Sequence, residues 1–121
     1  MERLFKRESI QVACGVTYNK KARFKQMAAV RVEGLTQDLS IEGVRLRLYE
    51  QPSLRTGQLV RFDVGAEHDA HAIIRGIDPA GANVILRLEF VEASQGFLAQ
   101  IVPIIKSPGV RNSDVSEWSA V

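Results

Sequence analysis

Val44-Arg45-Leu46-Arg47-Leu48 alternates apolar and charged side chains without a break. Successive side chains of a strand point to opposite faces, so this stretch reads as a β-strand with a buried aliphatic face and arginines in water. The same rhythm spreads in both directions. Upstream, Ile10, Val12, Cys14, Val16 and Tyr18 share one face of a first strand, and over residues 28–36 Val30 and Val32 oppose Arg31 and Glu33. Downstream, Val60, Phe62 and Val64 alternate with Arg61 and Asp63, and a fifth strand is expected near 71–77. A sixth, over 83–91, sets Val84, Leu86, Leu88 and Phe90 against Ile85, Arg87 and Glu89.

The interruptions are as informative as the rhythm. Gly34 breaks the second strand and Leu35 resumes out of phase, which predicts a bulge or sharp bend there. Residues 19–25, Gln51-Pro52-Ser53, Thr56-Gly57, 65–69 and Asp78-Pro79-Ala80-Gly81 read as loops and turns. The period then changes: Phe97, Leu98, Ile101, Ile104 and Ile105 form the apolar stripe of a helix with Ser94 as its N-cap. Pro103 predicts a kink, or an end to the helix near Val102. Six short antiparallel strands and one late helix give a mainly β fold: a six-stranded antiparallel β-barrel with a C-terminal α-helix over one opening.

With 121 residues the chain suits one domain over 1–106, followed by a polar stretch, 107–121, that reads as a disordered tail containing Trp118. Cys14, the single cysteine, has no intramolecular disulfide partner. A net charge of +2 gives no global field for nucleic acid. Lys20, Lys21, Arg23 and Lys25 cluster in one loop and read as a solvated hairpin tip. No apolar run approaches the roughly 20 residues of a membrane span, and residues 1–8 lack the pattern of a signal peptide. A cytoplasmic protein is the expectation.

Two pieces carry chemistry. Arg3-Leu4-Phe5-Lys6-Arg7 reads R-x-x-x-R, and Asp38-Leu39-Ser40-Ile41-Glu42-Gly43 reads D-x-S-x-x-G. Arginine pairs through its planar fork with phosphate oxygens or with guanine O6 and N7, and stacks on bases. The short oxygen-bearing side chains of Asp38 and Ser40 suit a tight turn, where they bond nearby N–H groups or a guanine edge. Gly43 permits a positive φ or a close approach of ligand to backbone. His68 and His71, in Glu67-His68-Asp69-Ala70-His71, have spacing open to a metal, but a polar turn is the preferred reading. Ser40 lacks a nucleophile-elbow glycine pattern and Cys14 faces the core by alternation, so no catalysis is expected.

In this order the two motifs resemble the signature of the PilZ domain, the bacterial receptor module for cyclic di-GMP. The resemblance covers most of the chain, and Leu86-Arg87-Leu88-Glu89-Phe90 is similar to the family's last strand. It implies the same barrel-plus-helix fold and a flexible ligand-binding segment over 1–8. Arg3 and Arg7 would clamp phosphate and guanine, and Asp38, Ser40 and Gly43 would meet a guanine on the barrel surface. Glu8 departs from the apolar residue usual after the second arginine. The resemblance also implies a conformational change read by a protein partner, no cofactor beyond the cyclic di-GMP ligand, and a monomer or weak dimer. Two other readings stand beside it: a PilZ-like interaction module that binds only protein, and a small single-stranded nucleic-acid barrel using Lys20, Lys21, Arg23, Phe24 and Lys25.

Overall fold

Strands form where the described residues alternate in the computed structural model, which describes residues 11–21, 27–65 and 67–106; the first begins at Ala13, after Val12, and Ile10 lies outside the described residues. In chain order the strands are β1 (Ala13–Lys21), β2 (Met27–Leu39), β3 (Gly43–Leu48), β4 (Leu59–Asp63), β5 (Ala70–Ala80) and β6 (Asn83–Ala93), followed by α1 (Gln95–Lys106). All pairings are antiparallel, and the order β1-β2-β3-β6-β5-β4 closes into a barrel. The β1–β4 seam is short: Gly15, Val16 and Thr17 against Asp63, Phe62 and Arg61. Closure gives every strand two ladder neighbours over at least part of its length.

The inward set follows the alternation. Cys14, Val16 and Tyr18 of β1, Val44, Leu46 and Leu48 of β3, Val60 and Phe62 of β4, and Val84, Leu86 and Leu88 of β6 are buried. Each such aliphatic or aromatic side chain contributes about 1.5–3 kcal/mol through its removal from water. Val64 and Phe90 are only half-buried against this core.

Helix α1 begins where Ser94 caps it: the Phe97 N–H donates to Ser94 Oγ at 3.1 Å, and the Leu98 N–H donates to the Ser94 carbonyl at 3.0 Å. The cap commits Phe97 and Ile101 to full burial. Phe97 meets Phe90 edge-on at 5.3 Å between ring centroids and Phe62 at 6.1 Å, so the helix is fastened to the barrel by a small aromatic cluster. The helix does not end near Val102 but runs through Pro103 to Lys106. Among the described residues no helix is long and apolar enough to cross a membrane.

Two irregularities fall elsewhere than the alternation predicts. Gly34 pairs in register with both Cys14 and Leu48; the bulge lies three residues on, between Thr36 and Asp38. Gly34 is instead a matter of space, because a Cβ there would lie 2.2 Å from the carbonyl oxygen of Arg47. Asp78-Pro79-Ala80 is strand and not turn: Asp78, Pro79 and Ala80 pair with Ile85, Val84 and Asn83, and the chain reverses at Gly81, whose φ is +67°. Along β5, β4 reaches only Ala70–Ile73, so Pro79 stands on a stretch with β6 as its one ladder neighbour, a position that tolerates the missing N–H.

Candidate functional site

The bulge at Gln37 sets up the first candidate region. It shifts the strand by one residue, so burial passes from Thr36 to Leu39 while Asp38 becomes a half-buried residue facing Arg45 of β3. The chain then reverses through Ile41 and Glu42. The Ser40 N–H donates to the Gly43 carbonyl at 2.9 Å, which closes the turn. Ser40 Oγ accepts from the N–H groups of Glu42 at 3.2 Å and Gly43 at 3.3 Å, and lies 3.3 Å from the Gly43 carbonyl to which it donates. With only 4% of the residue exposed, that hydroxyl works as an internal staple of the turn.

Gly43 has a different reason from the one its motif suggests. The described glycines with positive φ are Gly57, Gly65 and Gly81, so Gly43 needs no left-handed backbone. A Cβ at Gly43 would lie 2.2 Å from the Leu88 carbonyl oxygen, so the close approach is that of the chain's own β6. The Phe90 N–H donates to the Glu42 carbonyl at 2.9 Å and ties the turn to the same strand. The Asp38–Gly43 turn is therefore rigidly held against the barrel.

Arg3 and Arg7 lie outside the described residues. The chain they precede enters beside the turn: the Val12 N–H donates to Thr36 Oγ1 at 2.9 Å, and the Thr36 N–H donates to the Val12 carbonyl at 3.0 Å. Thr36 is two positions before Asp38.

Next to the turn, the strand register builds a row across the outer wall. Asp38 of β2 faces Arg45 of β3, Arg45 faces Arg87 of β6, and Arg87 faces Gly76 of β5. The Arg87 guanidinium occupies the space a side chain at Gly76 would need, since a Cβ there would lie 2.4–2.7 Å from its atoms. Arg87 Nη2 donates to the Arg75 carbonyl at 3.4 Å, and no carboxylate among the described residues pairs with it. Beside it, Arg75 Nε donates to Glu89 Oε1 at 2.7 Å. Ile41, Glu42, Arg75, Arg87, Glu89 and Phe90 line an open groove of about 650 Å³ here.

A second arginine lies over a second glycine on the β1 side. A Cβ at Gly15 would lie 2.3 Å from the Arg31 guanidinium. Here the cation is fully engaged: Arg31 donates to Asp63 through Nε at 3.0 Å and Nη2 at 2.7 Å, and to Glu33 through Nη1 at 3.3 Å. The hydrogen bond to Asp63 is the main reason its pKa is held above the ordinary arginine value.

The His68 ring packs over Gly96 in the first turn of α1, and His71 Nδ1 lies 3.6 Å from Glu92 Oε1. Among the described residues no three His, Cys, Asp or Glu side chains gather as a metal site. Burial, reinforced by the charge of Asp63, pushes the Cys14 thiol up to about 12. Asn19, Lys20 and Lys21 are not in the expected loop but continue β1, paired with Ala29, Ala28 and Met27 of β2; Arg23, Phe24 and Lys25 lie outside the described residues, as does the 107–121 tail. The outward row of Arg45 and Arg87 is the feature that alternation alone does not single out. Its available signal was that both arginines fall on outward positions. No family model matches the chain, and no curated protein matches it.

Proposed function

We propose that this chain is a cyclic di-GMP receptor of the PilZ type, cytoplasmic and without catalytic activity of its own, that signals nucleotide binding to a protein partner. The observation that carries the reading is the meeting of two chain segments. The D-x-S-x-x-G turn is a rigid platform at the β2–β3 handover, and the chain following R-x-x-x-R enters beside it at Val12 and Thr36. Five residues separate Arg7 from Val12, a length of chain that can extend up to about 17 Å. The barrel with its C-terminal helix is the architecture that the resemblance implies. By the resemblance, Arg3 and Arg7 would clamp the nucleotide, and the altered surface is what a partner would read.

A second reading has its own observation. The Ser40 hydroxyl is occupied within the turn and Gly43 is required by Leu88, so packing alone accounts for two motif positions. That favours a PilZ-like module that binds protein and no nucleotide. Calorimetric titration separates the two. The receptor reading expects saturable cyclic di-GMP binding by the wild type and its loss in Arg7→Ala. Absence of heat well above micromolar nucleotide leaves the protein-only module.

A further inference from the structure

We infer that Arg87, together with Arg45 across the β3–β6 pair, is part of the nucleotide-binding surface and contacts a phosphate or the O6/N7 edge of a guanine. The inference rests on the receptor reading above and extends it to residues outside both motifs.

Like charges directly opposite on an antiparallel pair destabilise the sheet, and Arg45 and Arg87 are Cα partners in the register. Neither has a carboxylate partner among the described residues in any ion pair. An anion placed between them removes that repulsion. Adjacent strands lie about 4.8 Å apart, so the row from Asp38 through Arg45 to Arg87 spans about 10 Å, within the reach of one nucleotide. The groove lined by Arg87 also contains Ile41 and Glu42 of the turn itself, which makes the two regions one surface.

The charge balance selects the ligand class. Arg45, Arg75 and Arg87 stand among Asp38, Glu42 and Glu89, with Arg75 already bonded to Glu89. A bare polyanion gains little from such a mixed surface. A guanine nucleotide suits it, because its N1–H and N2–H₂ groups donate to carboxylates while its O6, N7 and phosphates accept from arginines. Gly76 completes the arrangement by leaving room for the Arg87 guanidinium against the sheet, which limits the rotamer entropy lost on binding.

The test is calorimetric titration of cyclic di-GMP into the full chain, wild type against Arg87→Gln and Gly76→Ala, with thermal melts of each. Loss of one charge-assisted contact corresponds to roughly a tenfold or greater rise in Kd for Arg87→Gln. Gly76→Ala, which keeps the guanidinium but displaces it, is expected to weaken binding by a smaller factor. Melting temperatures should be unchanged or, for Arg87→Gln, slightly raised as the repulsion with Arg45 is relieved; a merely structural arginine would lower it. Wild-type binding with Kd unchanged in Arg87→Gln overturns this inference and leaves the receptor reading intact. No binding by the wild type overturns both.

Discussion

Two glycines on the barrel wall, Gly15 and Gly76, each lie beneath an arginine from a neighbouring strand, and the two arginines have opposite fates. Arg31 over Gly15 is saturated by Asp63 and Glu33 and spans β2, β1 and β4. It clamps the seam at which the barrel closes, where only a short ladder joins β1 to β4. Arg87 over Gly76 has a backbone carbonyl as its hydrogen-bond acceptor and a like charge across the ladder. The same local device serves cohesion when carboxylates surround it and leaves binding capacity when they do not. What decides is the register, which brings a carboxylate or an arginine to the adjacent position.

The largest effect that would sharpen this contrast comes from a third glycine. Gly43→Ala sets a Cβ against the Leu88 carbonyl, and backbone cannot swing away as a side chain can. A loss of about 2–3 kcal/mol is expected in urea unfolding, with the nucleotide absent. Wild-type stability in that variant would show that the motif glycine serves only the ligand. Next is the seam. Arg31→Ala and Gly15→Ala each remove or displace the Asp63 pair, whose members are 38% and 14% exposed. Their partial exposure limits the expected loss to about 1 kcal/mol, read from the same unfolding curves. Gly76→Ala is expected to change stability by less than about 0.5 kcal/mol, since the displaced group is the end of an unpaired side chain. A loss equal to that of Gly15→Ala would make the two arginines alike and break the comparison.

The smallest effect concerns Cys14, next to Gly15 in the seam. Its thiol is pushed up to about 12 by burial and by Asp63, whereas the exposed thiol of an unfolded chain ionises near 9.0. Above that value the unfolded chain sheds a proton that the folded chain retains. Stability from this group is therefore intact below about pH 9 and declines as pH rises towards about 12. At pH 8 a thiol reagent should label the folded protein only through opening of the seam, and Arg31→Ala should speed that labelling. Equal rates in wild type and variant would show that the ion pair does not hold the seam.

Alternation named the inward residues of β1, β3, β4 and β6 because burial with period two is written locally. Ser40 was legible for the same reason: its bonds run to Glu42 and Gly43, within the turn itself. Gly34 and Gly43 were not, because their cause lies in the carbonyls of Arg47 and Leu88 on other strands. The bulge at Gln37 was misplaced onto Gly34 for the same reason, and Pro79 reads as a turn until the reach of β4 is known. Arg45 and Arg87 were each visible as outward side chains. That they face one another depends on the β3–β6 register, which depends in turn on how the whole barrel closes.

The most direct test of the receptor account is a map of backbone amide shifts during titration of the full chain with cyclic di-GMP. The account predicts saturable shifts at Asp38 to Gly43, Arg45, Arg87 and Gly76, with Gly15, Arg31 and Asp63 unmoved. Spectra unchanged up to about 1 mM nucleotide, which bounds binding at roughly 4 kcal/mol or weaker, would contradict it. So would shifts confined to the Arg31 side of the barrel.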